Sequence, residues 1–326
     1  MSRVLGVLLF IVLLVVAWQA VRTPFPEHER EIRSKVKSTV ESIFPEQAAQ
    51  AKARFGLVRL HEPQAGMSDV VLVHGLDDPG MVWMNLAPAL HAAGHGVSVL
   101  NYPNDQPVRD SARLFADELQ SMFTGQSEKI PIVAHSMGGL VSREMLSSPG
   151  LRCDGADCRM PGVARLIMIG TPNHGSYLAR FRGLGELREQ LSRMIDGEAG
   201  WLDSIFDGSG EAGLDLMPGS AFLTELNSRA YPEGTAMYVI AGVIAKEEAE
   251  SLAGMIERLE SDTGGALVVP LVEQLGDGLV SVESARLAEV PLFRVSGNHL
   301  SIIRNISTAS ERIPPAIPIV LQLLQE

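Results

Sequence analysis

The feature that most restricts the fold of this 326-residue chain is a strand that runs directly into a helix through one sharp turn. The apolar run Ile130–Ala134 predicts a buried strand, and Gly138–Ser147 predicts a helix. Ser136 lies at the apex of the turn between them. Small residues, Ala134 and Gly138, stand on both sides of it, as a strained and crowded turn requires.

Strands and helices alternate along the chain from residue 69 onward. Other predicted strands are Val70–Val73, Val97–Leu100, Arg165–Ile169 and Leu292–Val295, and other predicted helices are Met84–Ala93 and Ser111–Phe123, the latter capped by Asp110. This alternation is typical of a parallel sheet covered by helices on both faces. Hydrophobic residues make up 46% of the chain, which is enough for a substantial core. The sequence therefore predicts an α/β fold with a mostly parallel central sheet.

The turn at Ser136 matches the nucleophile elbow G-x-S-x-G, with Ala134 in place of the first glycine. The helix that follows points its free N–H groups at the reaction centre. His74 and the glycine after it end the first predicted strand, where a loop N–H can act as a second donor. The backbone N–H groups of Leu76 and Met137 are therefore candidate oxyanion-hole donors, and the His74 imidazole is interpreted as structural. The alternative for the serine is an ordinary N-cap.

A serine hydroxyl needs a base within hydrogen-bond reach, and the base needs an orienting carboxylate. In α/β folds whose nucleophile stands at such an elbow, the acid and then the histidine follow the serine along the chain. Only His174 and His299 follow Ser136, and His174 comes too early to leave room for the acid, so His299 is the predicted base. Asp277, between two glycines after the predicted strand Leu267–Leu275, is the predicted acid. An ordinary Asp-Gly turn is the alternative, and the reserve acids are Glu283, Glu273 and Asp262.

With these motifs together, the chain resembles the bacterial lipase and esterase branch of the α/β-hydrolases, and it is also similar to deacylases that act on lipid anchors. The resemblance covers residues 68–305 and rests on the motifs at 71–76, 134–139, 170–176, 216–223 and 276–285. It implies a catalytic triad of Ser136, Asp277 and His299. Residue 173 departs from the family pattern, since it is Asn where a charged or aromatic residue often stands. Structural calcium, common in such lipases, is not expected, because no matching acidic pair is found.

A helical lid or cap insertion is predicted at about 175–231. Two apolar stripes suggest a lid whose underside binds acyl chains, although both stripes could instead pack on the sheet; they comprise Leu187, Leu191, Met194 and Ile195, and then Trp201, Leu202, Ile205 and Phe206. Residues 246–266 predict a second, smaller helical excursion.

The N-terminal residues 1–22 predict a membrane anchor or a signal peptide. The apolar run at 4–21 would span roughly 27 Å as a helix, close to the hydrocarbon thickness of a membrane. Residues 23–60 predict an amphipathic helical stalk or packing segment, and 61–326 the catalytic domain. We expect a membrane-anchored protein with an exported, periplasmic or extracytoplasmic, catalytic domain, or a secreted one if the N-terminus is cleaved.

The net charge of −12, with no Lys/Arg cluster, excludes nucleic acid as an expected partner. Cys153 and Cys158 are a possible disulfide in an exported chain. No metal, organic cofactor or obligate protein partner is expected. The predicted function is hydrolysis of an acyl ester, of lipid-like type, through an acyl-enzyme. The alternatives are a thioesterase or acyltransferase with the same triad, and a non-catalytic membrane-tethered scaffold.

Overall fold

The computed structural model of the chain describes residues 53–76, 80–103, 106–125, 128–151, 161–176, 211–244, 276–307 and 309–326, together with four helical positions at 42, 45, 46 and 49. The chain divides into two compact units, residues 1–50 and residues 51–326. The sheet and its helices belong to the second unit.

A seven-stranded sheet forms the centre of the second unit. Its strands are β1 (Gly56–His61), β2 (Asp69–Val73), β3 (Gly96–Asn101), β4 (Ile130–His135), β5 (Val163–Ile169), β6 (Ala236–Val243) and β7 (Leu292–Ser296). The strand order is β1-β3-β2-β4-β5-β6-β7. β1 runs antiparallel to β3, and the other neighbouring strands are parallel. The mostly parallel sheet predicted from the sequence is confirmed.

Helices pack on both faces of the sheet. They are α1 (Leu86–Ala92), α2 (Val108–Phe123), α3 (Met137–Ser147), α4 (Glu211–Asp215), α5 (Ala221–Ser228), α6 (Val282–Ala285) and α7 (Ala316–Gln325), with a short 3-10 helix at Met81–Trp83. Alternate residues of β2 separate the two cores: Val71 and Val73 join the cluster with α2 and α3, and Val70 and Leu72 join the cluster with α1 and α7. Burial of each such side chain contributes about 1.5–3 kcal/mol, so both faces of the sheet stabilise it.

The carboxyl ends of the parallel strands meet along one edge of the sheet. Ser136 follows β4, Gly170 follows β5, and His299 follows β7 within three residues. Asp277 lies beside the end of β6, because Ile244 donates its N–H to the carbonyl of Gly276 at 2.8 Å. Residues far apart in the chain are thus brought to the edge where open α/β sheets bind ligands.

Three details differ from the sequence analysis. Residues 56–60 were placed in the predicted helical segment 23–60, but they lie in β1, because pairing with β3 adds this alternating stretch to the edge of the sheet. β6 was not predicted, although it is the strand beside the acid. Helix α2 begins at Val108 rather than Ser111, with Pro107 at the N-cap and Asp110 in the first turn, where its carboxylate faces the positive end of the helix dipole.

Several predictions lie outside the described residues. These are the anchor or signal peptide at 1–22, most of the segment 23–60, the insertion at 177–210, the excursion at 246–266, the run 267–275 and the two cysteines. The last part of the predicted insertion is described and contains α4 and α5. Among the described residues, none of the helices has the length and apolarity needed to cross a membrane.

Candidate active site

The turn between β4 and α3 has a strained backbone. Ser136 has φ 54° and ψ −129°, a positive φ that only Glu289 shares among the described non-glycine residues. Its N–H donates to the carbonyl of Ile169, at the end of β5, at 2.8 Å. A Cβ at Gly138 would lie 2.2 Å from the carbonyl oxygen of Val73, so the start of α3 is pressed against the end of β2. The sharp turn predicted from the small flanking residues is present.

The loop after β2 passes directly beside this turn. A Cβ at Gly75 would lie 2.6 Å from the Cβ of Ser136, so only glycine lets the loop come this close. The next residue, Leu76, lines the same pocket as Ser136, and Met137 is buried at the first position of α3. The two candidate oxyanion donors therefore both belong to residues that lie close to the serine, one after it in the chain and one in the loop beside it.

His74 has a structural environment, as the sequence analysis interpreted it. Its ring is buried and stacks on Tyr102 with centroids 4.5 Å apart, and its Nδ1 donates to the carbonyl of Gly75 at 2.9 Å. The Tyr102 hydroxyl donates to the carbonyl of His74 at 2.6 Å. These contacts fix the loop that carries Leu76.

The predicted acid and base contact each other. His299 Nδ1 donates to Asp277 Oδ2 at 2.7 Å, and the His299 N–H donates to the Asp277 carbonyl at 2.9 Å. The other carboxylate oxygen, Oδ1, accepts from the N–H groups of Leu279 at 2.9 Å and Val280 at 2.8 Å. Asp277 is only 1% exposed, so these hydrogen bonds are what compensates the buried carboxylate.

His299 is also held by the residue before the serine. The carbonyl of His299 can only accept a hydrogen bond, so His135 Nε2 is the donor of their 3.0 Å contact. The two rings lie 4.7 Å apart. The base is therefore tied to the acid on one side and to the nucleophile strand on the other.

Ser136 and His299 line one small, partly open pocket. Its other described lining residues are mainly apolar: Leu76, Pro172, Leu216, Leu279 and Val280, with Ser176 as the polar exception. Such a lining suits an aliphatic group placed next to a polar reacting centre.

The pocket residues Pro172, Ser176 and Leu216 were not predicted from the sequence. The signal was present, because the motifs at 170–176 and 216–223 both supported the family resemblance. The buried Arg143 was not predicted either, since none of the motifs contains it, although its partner Asn173 stands in the motif at 170–176. His174 is exposed, and its backbone N–H donates to the carbonyl of Ser284, so it is placed in a loop contact.

Among the reserve acids, Glu283 alone lies within the described residues. Glu283 is exposed on α6, where it pairs with Arg286 at 3.6 Å, and Glu273 and Asp262 lie outside the described residues. Within the part of the chain that the structure describes, no group of three or more His, Cys, Asp or Glu side chains could hold a metal ion.

The arrangement can carry out nucleophilic acyl transfer. A carboxylate that accepts from Nδ1 leaves Nε2 of the imidazole as the free base, and a serine at a helix N-terminus shares the pocket with it. Acyl chemistry needs these groups together with backbone donors for the oxyanion.

Comparisons with known proteins agree with this architecture. No protein-family model and no curated protein matches the chain. Among solved structures, the mature lipase BlEst2 of Bacillus licheniformis is 21% identical, with a TM-score of 0.52 over 81% of this chain and 94% of that one. The phospholipase PlaB from Legionella pneumophila is 20% identical, with a TM-score of 0.54 over 80% of this chain and 60% of that one. The topology, the elbow and these likenesses together show that the chain has the α/β-hydrolase fold.

Proposed function

We propose that this chain is a serine hydrolase that cleaves carboxylic esters, with Ser136 as nucleophile, His299 as base and Asp277 as the supporting acid. The observation that carries the proposal is the 2.7 Å contact of His299 Nδ1 with Asp277 Oδ2 at a pocket that Ser136 also lines. The acid–base pair and the serine are up to 163 positions apart in the sequence, yet both lie beside one strained turn, as a nucleophile and its base require.

In the first half of the reaction, His299 Nε2 takes the proton of the Ser136 hydroxyl as its oxygen attacks the ester carbonyl carbon. Asp277 holds the imidazole tautomer and stabilises the imidazolium. The N–H groups of Leu76 and Met137 bind the oxyanion, each worth about 3–4 kcal/mol of transition-state stabilisation. The C–O bond to the alcohol then breaks, and His299 gives its proton to the leaving alkoxide.

In the second half, water replaces the alcohol. The water oxygen attacks the acyl carbonyl carbon while His299 takes a proton from the water. His299 then gives this proton to the Ser136 oxygen as the carboxylic acid product leaves. The aliphatic pocket walls favour an acyl chain as the group held beside the serine. The structural neighbours, a lipase and a phospholipase, support a lipid-like ester as the substrate class. The proposal includes attachment to, or export across, a membrane through residues 1–22.

Hydrolysis of p-nitrophenyl esters from acetate to laurate tests the proposal. Replacement of the nucleophile by Ser136→Ala should lower kcat by about 10⁴-fold or more. The matched control is Ser147→Ala on the same helix, since its hydroxyl only donates to the carbonyl of Arg143. Unchanged turnover in Ser136→Ala would contradict the proposal, and a thioester and an amide of the preferred acyl group would show which acyl bond is cleaved fastest.

A further inference from the structure

A buried arginine lies on the helix that follows the nucleophile. Arg143 of α3 is 4% exposed, and it donates from Nη1 to Asn173 Oδ1 at 3.0 Å and from Nη2 to Asn227 Oδ1 at 2.9 Å. We call these three residues the amide bridge. Arg143 belongs to the nucleophile helix, Asn173 to the loop after β5, and Asn227 to α5.

Asn173 is the centre of the amide bridge. It is fully buried, and its Nδ2 donates to the carbonyl of Ala285, in α6, at 2.7 Å. Its carbonyl accepts from Asn227 Nδ2 at 2.9 Å, and its N–H donates to the carbonyl of Thr171 at 2.9 Å. One asparagine therefore joins three helices and its own loop.

The partners of Arg143 are unusual for a buried cation. Both hydrogen-bond acceptors among the described residues are neutral amides, and burial lowers the pKa of Arg143 to about 10, so it stays charged at neutral pH. An ion pair already links α3 to the residue that follows α5, since Arg229 Nη1 donates to Glu144 Oε2 at 2.6 Å. A second buried cation is therefore not needed to link α3 to this part of the chain. The planar guanidinium of Arg143 instead holds Asn173 and Asn227 in a fixed geometry relative to α3.

The loop after β5, which carries Asn173, contacts both the acid–base pair and the pocket. At its start, a Cβ on Gly170 would lie 3.2 Å from both Asp277 Oδ2 and His299 Nδ1. Farther along, Pro172 and Ser176 line the pocket.

The same loop is bonded to residues 277–286, the segment that begins with the acid and includes α6, which we call the acid loop. The His174 N–H donates to the carbonyl of Ser284 at 2.9 Å, and the Ser284 hydroxyl donates to the carbonyl of Gly175 at 2.6 Å. Ser176 Oγ donates to the carbonyl of Leu279. Together with the bond from Asn173 to Ala285, these contacts connect the acid loop to the loop after β5 along its length.

We propose that Asn173 is a positioning residue, which together with Arg143 sets the register between the nucleophile helix and the acid loop. Arg143 holds Asn173, and with it the loop after β5, in place relative to α3. The bond from Asn173 Nδ2 to the carbonyl of Ala285 then holds α6 in place relative to that loop. The distance between Ser136 and the His299–Asp277 pair then depends on an amide that touches none of them. This inference rests on the proposed function for its kinetic consequence.

Asn173→Asp is the decisive variant. It keeps an acceptor for Arg143 and gives that cation a carboxylate partner, but it replaces the Nδ2 donor by an oxygen that faces the carbonyl of Ala285. Since misplacement of reacting groups by about 1 Å can cost about 10²-fold, kcat should fall by roughly 10- to 100-fold with KM changed less than threefold. Arg143→Met should lower kcat similarly, and the double variant should lose little more than either single one, because both act on one contact.

Arg229→Met is the matched control. It removes the ion pair between Glu144 of α3 and the residue that follows α5, and among the described residues Arg229 makes no bond to the loop after β5. It should lower the melting temperature at least as much as Asn173→Asp while kcat stays within twofold of the wild type. A purely structural role for Asn173 would instead make kcat follow the melting temperature in all variants.

Backbone amide hydrogen exchange gives a readout that needs no turnover. The N–H groups at 279–286 should exchange faster in Asn173→Asp than in Arg229→Met. If Asn173→Asp retains both wild-type kcat and wild-type exchange in this segment, the positioning role is wrong. Failure of the proposed function would look different, because then wild type and Ser136→Ala would hydrolyse the ester equally while the exchange comparison still decides the role of Asn173.

Discussion

The elbow around Ser136 and the loops that carry Asp277 and His299 reach the same pocket in different ways. The elbow is one continuous stretch whose position is fixed by steric contact, with backbone oxygens within 2.4 Å of where a Cβ on Gly138 would be. The acid and base come from two loops and are held by hydrogen bonds, with Asp277 accepting from three groups. The elbow therefore has no room to adjust, whereas the acid–base pair depends on polar partners that can be exchanged one at a time.

The largest effect on kcat is expected when the hydrogen bond between the acid and the base is disrupted. Asp277→Asn keeps the shape but presents an amide to Nδ1, which favours the wrong imidazole tautomer, so kcat should fall by about 10⁴-fold. Steady-state ester hydrolysis measures this. The control is Asp69→Asn, a buried aspartate at the start of β2 that should leave kcat unchanged. Equal kcat in wild type and Asp277→Asn would remove the acid assignment.

Disrupting the close packing at the elbow should mainly lower the stability of the protein. Gly138→Ala places a methyl group 2.2 Å from the Val73 carbonyl oxygen, and forced overpacking of this kind costs about 3 kcal/mol. Urea unfolding should show a lower midpoint. Gly150→Ala is the matched control, since nothing lies within 4 Å of its added Cβ. A Gly138→Ala protein as stable as the control would show that the elbow can adjust after all.

A glycine that touches the acid–base pair sharpens the comparison. Gly170 has φ +59°, and its added Cβ would lie 3.2 Å from Asp277 Oδ2, so Gly170→Ala should cost about 1–2 kcal/mol of backbone strain and also reduce kcat several-fold. Gly219→Ala has a similar φ of +75° with nothing within 4 Å, so it should lose stability without losing activity. Equal kcat in the two variants would mean that the acid–base pair accommodates the added methyl group of Gly170→Ala without loss of activity.

The smallest effect concerns pH. His174 is exposed as a whole residue, but partial desolvation, and then the charge of Arg143, lower its pKa from the ordinary value of 6.5, while Glu283 opposes the shift. Below that value the unfolded chain binds a proton that the folded chain resists, so stability is lost as the pH falls through 6.5. His174→Gln should therefore lose less stability between pH 8 and pH 5.5, measured as the shift in urea midpoint. An identical pH dependence in both proteins would contradict this.

The same contrast explains what the sequence could predict. The elbow, the strand β4 and helix α3 were found from local residues, because an apolar run, a serine between small residues and a helix are all adjacent. The pairing of Asp277 with His299 was inferred only from the chain order expected for the fold. The contact of the acid loop with β6 was missed, because residues 236–243 were not predicted as a strand, and the predicted strand at 267–275 lies outside the described residues.

The amide bridge could not have been found from the sequence. Arg143 lies on a helix that was predicted from the sequence, but nothing in the residues nearby indicates that a guanidinium is buried there. Asn173 was noted only as a departure from a family pattern. Its partners at positions 143, 227 and 285 become neighbours only once the sheet and its helices have assembled.

The most direct test of the central claim, that Ser136 is made reactive by His299, is covalent labelling with a fluorophosphonate followed by peptide mapping. We predict a single adduct on Ser136, formed at least about 10²-fold more slowly in His299→Ala, since the base no longer takes the proton. Labelling at another residue, or undiminished labelling of Ser136 without His299, would contradict the account.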